Sequence, residues 1–239
     1  MLLEIIAFNI QSCATIQNAG AQRIELCGNP TEGGTTPSYG FIKAALNAVN
    51  IPVFPIIRPR GGDFFYSDYE FDIMKTDIEI CKKLGFGGVV LGCLNPDGMV
   101  DKKHTAKLVQ LAYPMSVTFH RAFDRVNDMA AALEDVIGCG CERILTSGLH
   151  PVAEEGQANL ATLVEQANGR IIIMPGSGLR SGNIKRLAEA TGATEFHSSA
   201  RSFTMSGMNY KNPFMNEDPE NIMVDSDEVK LMLQKLNAH

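Results

Sequence analysis

Short apolar runs rich in Val, Ile and Leu alternate along the chain with stretches whose apolar residues recur every three or four positions. The runs show no polar alternation, as expected of strands buried on both faces, and the stretches between them suit amphipathic helices. Strands are predicted at Leu2–Phe8, Arg23–Cys27, Val53–Arg58, Gly88–Cys93, the stretch from Ser116, Arg143–Gly148, Arg170–Met174 and Glu195–Ser199. Helices are predicted at about Gln11–Ala19, Pro37–Ala48, Glu70–Leu84, Lys102–Ala112, Asn127–Ile137, Gln157–Ala167, Asn183–Ala190 and Ser226–Leu236. Gly20, Gly85 and Gly192 stop three of these helices, and Thr36-Pro37 supplies a cap and first position for another. Pro55 weakens the third strand, because proline donates nothing to a ladder. The segment from Ala200 to Asp227 has little periodicity and reads as a long loop before the last helix.

Eight strand–helix units in order predict an α/β fold of the (β/α)8 barrel type, a TIM barrel formed as one domain over residues 1–239. A doubly wound sheet seldom needs eight regular repeats. Barrels of this kind carry their sites on the loops after the strands. The polar strand ends therefore become the candidates for chemistry.

The sharpest change of character lies in Ser116-Val117-Thr118-Phe119-His120-Arg121-Ala122-Phe123-Asp124, apolar at its start and ionisable at its end. His120 is the candidate for proton transfer, oriented by Asp124 or by Glu25. Glu4 and Glu25 sit inside apolar strands, where a charge needs a partner. They suit either an acid/base pair or an ion-pair layer with Arg23, Arg58 or Arg143, and structural networks of the second kind are the commoner case. Pro175-Gly176-Ser177-Gly178, together with His197-Ser198-Ser199, suggests a cup of backbone N–H groups at a helix N-terminus for a phosphate or carboxylate. Arg58, Arg121 and Ser147 would add donors to that anion. The same glycines also suit tight turns with no ligand. Cys27, at the end of the second strand, is the candidate soft-metal ligand, although most cysteines so placed are packing residues.

Composition narrows the partners. The 239 residues are 45% hydrophobic and 20% charged, with a formal net charge of −6, which argues against nucleic acid as a partner. No apolar run is long enough for a membrane span. Six cysteines without an export signal predict reduced thiols and a cytoplasmic location. Cys139-Gly140-Cys141 falls between a helix and a strand, on the face opposite the expected site, and reads as two core thiols.

The motifs Arg23–Cys27, Glu32–Ser38, Ile57–Phe64, Thr118–Asp124 and Leu145–Gly148 resemble the CutC family over nearly the whole chain, from the first strand to Ser199. That resemblance implies a TIM barrel, a cytoplasmic location, a homo-oligomer (dimer or tetramer) and a link to copper homeostasis. It implies copper(I) as a candidate ligand, held by soft thiolates. Family members discussed as copper binders carry a first-strand cysteine beside the second-strand one. Here Cys27 is kept, while Ile6 and Ala7 stand on the first strand. Two expectations follow: a copper-handling protein, or an enzyme acting on a small anionic molecule.

Overall fold

The structure, a computed structural model, describes residues 1–215 and 220–238. Its first eight strands are β1 (Leu2–Ala7), β2 (Arg23–Leu26), β3 (Val53–Pro55), β4 (Gly88–Leu91), β5 (Ser116–Phe119), β6 (Arg143–Thr146), β7 (Ile172–Pro175) and β8 (Glu195–Ser198). Hydrogen bonding gives two parallel four-stranded sheets, ordered β3-β2-β1-β8 and β4-β5-β6-β7. A parallel bridge between Ile56 and Val90 joins β3 to β4, and β7 lies beside β8. The two sheets thus close into the predicted barrel.

Seven helices follow the first seven strands: α1 (Ile10–Ala19), α2 (Tyr39–Ala48), α3 (Asp68–Leu84), α4 (Lys102–Ala112), α5 (Met129–Gly138), α6 (Gln157–Ala167) and α7 (Ile184–Thr191). Local chemistry sets their ends. Ser67 and Glu70 form a reciprocal capping box, which starts α3 at Asp68, earlier than its apolar pattern alone predicts. Gly20, Gly85 and Gly192 take the left-handed conformation at their C-caps. The core between helices and barrel is continuous and includes Leu3, Ile5, Ile24, Leu91, Phe119, Ile144 and Phe196.

The segment expected to be an irregular loop is not one throughout. It carries an antiparallel pair, β9 (Arg201–Met205) and β10 (Glu220–Val224), before α8 (Ser226–Asn237). Most of its residues are exposed, so no burial imposed an alternation that the sequence could display. Asn9 ties the pair to the barrel by donating to the Ile222 carbonyl at 2.7 Å. Part of the expected loop, residues 216–219, lies outside the described residues.

Candidate active site

Alternate residues on a strand share a face, so each barrel strand sends every second side chain inward. The inward series include Glu4, Ile6 and Phe8 from β1, and Arg23 and Glu25 from β2. From β8 come Glu195, His197 and Ser199. The first members of these series form a charged floor. Arg23 Nε meets Glu4 Oε2 at 2.5 Å and its Nη2 meets Glu195 Oε2 at 2.6 Å. Arg143 Nε reaches the same Glu195 oxygen at 2.7 Å. This is the ion-pair layer anticipated for Glu4, with Arg23 and Arg143 in it and Arg58 absent. Glu195 links the two arginines, and its charge at the start of an apolar run was the available signal.

One step up the same faces lies the group that matters for chemistry. The register sets Glu4 opposite His197, and His197 Nδ1 donates to Glu4 Oε1 at 2.7 Å. On its other side, His197 Nε2 lies 3.7 Å from Glu25 Oε2. Burial opposes ionisation of Glu4, but the His197 hydrogen bond and the Arg23 charge outweigh it and hold the carboxyl at about 2. Glu25 has no such arginine bond. Burial, aided by the Glu4 charge and opposed by His197, raises it to about 7. His197 is pushed down by burial, yet the Glu4 hydrogen bond and the two carboxylate charges leave it raised. Arg23, Glu4, His197 and Glu25 therefore form a chain of coupled charges whose last pair, His197 and Glu25, favour each other's ionised forms.

Above this chain opens a cavity of about 240 Å³, lined among others by Glu25, Arg58, Phe64, His120, Arg121, Ser177, Gly178, His197, Ser199 and Arg201. Seven predicted site residues meet here: Glu25, Arg58, His120, Arg121, Ser177, Gly178 and His197. The expectation that Glu25 or Asp124 orients His120 fails, because neither makes a hydrogen bond to it. His120 Nδ1 accepts from the Ala122 N–H at 3.2 Å, so the neutral ring must carry its proton on Nε2. Burial, and then the Arg58 charge, depress it to about 3. His120 is thus a fixed neutral donor and not a base. Gly92 makes the room: a Cβ there would lie 2.7 Å from His120 Nδ1.

Arg58 donates through Nη1 to the carbonyls of Glu32 and Gly34 at 2.7 and 2.8 Å, and through Nη2 to Gly62 at 2.9 Å. Those bonds fix the guanidinium and leave Nε. Arg58 Nε, His120 Nε2 and Arg201 Nε are all buried with no protein partner. A buried donor left in that state costs about 1–3 kcal/mol. The Phe64 ring packs against two of these groups, its centroid 4.8 Å from the His120 ring and 4.8 Å from the Arg58 guanidinium carbon.

The remaining candidates lie outside the cavity wall. Asp124 Oδ1 accepts from Thr146 Oγ1 at 2.5 Å, Ser147 N at 2.9 Å and Leu149 N at 3.2 Å, and Oδ2 accepts from Arg121 Nε at 2.7 Å. It is a hub that fixes the β6 loop, with its lone pairs taken, and not a partner for His120. Ser147 Oγ serves the same hub and accepts from Arg121 Nη2 at 2.8 Å. Gly176 donates its N–H to the Thr146 carbonyl, and a Cβ on it would meet Leu145 Cδ1 at 2.4 Å, so close packing explains that glycine. Ser198 Oγ donates to the Leu179 carbonyl at 2.7 Å. Helix α7 opens at Ile184, capped at Asn183, close to the predicted start, and Leu179–Asn183 separate it from Gly178. Ser177 and Gly178, both with positive φ, still border the cavity.

Cys27 does not reach the cavity. It is fully buried beneath Gly34, packed with Ile6, Phe54, Ile56 and Val90. Burial, then the Glu25 and Glu4 charges, push its thiol well above the usual range. Copper(I) prefers thiolates and thioethers. A single thiol packed among Ile6, Phe54, Ile56 and Val90 offers one soft donor, which does not match that preference for several. Among the described residues, the three metal-capable side chains that come together are Glu4, Glu25 and His197. Their donors are oxygen and nitrogen, and Glu4 is already bound to Arg23 and His197. Among the cavity residues that sequence reasoning missed are Phe64, inside a loop motif, and Arg201, which opens the segment read as irregular.

The CutC family model matches residues 1–202. A CutC family protein of Chromobacterium violaceum is 55% identical over 210 residues, covering 88% of this chain and 85% of that protein. The human copper homeostasis protein cutC homolog is 49% identical over 211 residues, covering 88% and 77%. A solved structure of CutC from Streptococcus agalactiae superposes with a TM-score of 0.79 at 35% identity, covering 83% of this chain and 98% of that one. With these matches and the barrel they share, the chain belongs to the CutC family.

Proposed function

We propose that this barrel is an enzyme acting on a small anionic molecule, bearing a phosphate or carboxylate, by acid/base chemistry. One observation carries the reading: Arg58, His120 and Arg201, each with a buried N–H donor that has no protein partner, are among the residues lining the cavity that also holds Glu25. An anion in reach of these donors would relieve their unmet bonds, and Arg58, Arg121 and Arg201 bring positive charge to a chain that is negative overall. Glu25, with a carboxyl at about 7, takes the acid/base role first given to His120. Behind it, His197 and Glu4 set the position of the proton. The cavity, of about 240 Å³, is of a size for a small molecule. Calorimetric titration with orthophosphate tests the anion site. One site is expected in the wild-type protein, weakened at least about tenfold in Arg201→Gln. No binding at millimolar orthophosphate would sink the reading.

Copper binding rests on the names of the relatives, which are copper homeostasis proteins. The soft-donor set described above does not support it. Copper(I) titration against a competing chelator, wild type beside Cys27→Ser, checks this directly. Weak binding, unchanged by the substitution, is expected. Stoichiometric tight binding lost in Cys27→Ser would reinstate copper.

A further inference from the structure

The donors and the acid/base group come from different sides of the barrel. Glu25 is on β2, three strands around the ring from β5, which leads into His120. Arg58 follows β3 and packs on the Phe64 ring, which His120 also contacts. Ser177, Gly178, Ser199 and Arg201 border the cavity on the β7–β8 side. The cavity is thus bounded by three chemically distinct groups: a carboxyl, a pair of N–H donors and an arginine with small hydroxyl residues.

A site that only binds anions has no need of a neutral imidazole. The Ala122 N–H and the Gly92 gap fix the His120 ring with its Nε2–H unpartnered. A donor without formal charge interacts modestly with a neutral carbonyl oxygen and more strongly once that oxygen gains charge, which is the differential that lowers a barrier. Across the same Phe64 ring, Arg58 Nε adds a charged donor whose guanidinium is already locked by three carbonyls.

We propose that the cavity promotes enolisation: Glu25 takes a proton from the carbon beside the carbonyl of a small phosphorylated or carboxylated hydroxy-carbonyl compound, while His120 Nε2–H and Arg58 Nε–H hold the oxygen that becomes negative. This rests on the anion-site reading and adds the reaction and the substrate class. The C–H bond breaks, its electron pair forms the new C=C bond, and the carbonyl π pair moves onto oxygen. The proton resides on Glu25. Returning it to the same face of that carbon regenerates the substrate, with exchange of the Glu25 proton for one from solvent as the net change, so no oxidant, reductant or second substrate is consumed. Arg201, with Ser177 and Ser199, holds the anionic end. Neither donor nitrogen is reachable by water in the free protein, and Phe64 packs against both side chains. Rotation of that ring is the opening step, since Arg60 pins the flanking backbone through the Gly61 and Phe65 carbonyls.

The test compares two probes by calorimetry. Phosphoglycolohydroxamate carries a planar ionised hydroxamate that mimics an enediolate; glycerol 3-phosphate keeps the phosphate and lacks that group. The hydroxamate is expected to bind at least about a hundredfold tighter. His120→Phe should remove that preference while glycerol 3-phosphate binding persists. Arg201→Gln should weaken both probes and leave their ratio intact. Equal affinities in the wild-type protein overturn enolisation and leave the anion site standing. Failure of both probes and of orthophosphate to bind overturns the two together. The wild-type ratio decides the matter even where a variant does not fold.

Discussion

Replacing Glu25 by Gln should stabilise the protein at neutral pH while abolishing its acid/base group. Glu25 is buried at the cavity wall and its carboxyl is raised from 4.5 to about 7, chiefly by burial. A carboxyl raised in this way is more readily ionised in the unfolded chain than in the fold. Below pH 4.5 it is protonated in both states and has no effect. Between 4.5 and 7 it lowers stability by about 1.4 kcal/mol per pH unit, and above 7 the loss is complete at roughly 3 kcal/mol. Gln has no proton to lose and escapes this penalty. Part of the gain is offset near pH 6, because His197 then loses a carboxylate 3.7 Å away that favours its charged form. His197's own contribution is present below 6.5 and fades as pH rises through its raised folded value, so the offset shrinks with increasing pH. A net gain of about 2–3 kcal/mol at pH 8 corresponds to roughly 5–10 °C for a chain of this size. Thermal melts of both proteins at half-unit steps from pH 4.5 to 8 measure it. A melting difference that stays flat over that range, or a Glu25→Gln protein less stable at pH 8, refutes the assignment.

Three further outcomes follow from the same geometry. Asp124→Asn should destabilise by about 2–4 kcal/mol in chemical denaturation, since an amide cannot accept from Ser147 N, Leu149 N, Thr146 Oγ1 and Arg121 Nε together; unchanged stability would contradict its role as hub. Nitrogen-15 NMR should show His120 neutral and protonated on Nε2 from pH 8 down to 5, because burial and Arg58 hold it at about 3; a midpoint near 6.5 would contradict this. Phe64→Ala should uncover the Arg58 and His120 donors and raise the association rate of orthophosphate several-fold in stopped-flow measurements; an unchanged rate would remove Phe64 as the cover.

The barrel was legible because buried parallel strands and glycine-stopped helices leave a strong repeating signature, and each predicted barrel strand overlaps an observed one. The pairing of groups inside the site was harder to read. His120, Arg121 and Asp124 are neighbours in sequence, which suggested one catalytic end; Asp124 instead turns to the β6 loop, and His120 turns into the cavity. Glu25 finds its partner through barrel closure. The register of β1 against both β2 and β8 brings residues 4, 25 and 197 together, and that register is invisible to a linear scan. Arg201 was missed because its segment is mostly exposed and shows no alternation, although its backbone lies directly after β8. Cys27 was placed correctly on its strand end, but nothing local shows that the Gly33–Gly34 loop would fold over it.

The most direct measurement is sulfate binding by calorimetry at pH 7.5, in two buffers of different ionisation enthalpy. Sulfate has no proton of its own to exchange near this pH, so any proton uptake belongs to the protein. A dianion placed beside Glu25 should raise its pKa further, and a fraction of a proton, at most about three-quarters at this pH, should be taken up for each sulfate bound, leaving part of the population ionised to act as base. In Glu25→Gln the uptake should vanish while binding persists. Sulfate that binds the wild-type protein with no proton uptake, or fails to bind, would contradict an anion site coupled to Glu25.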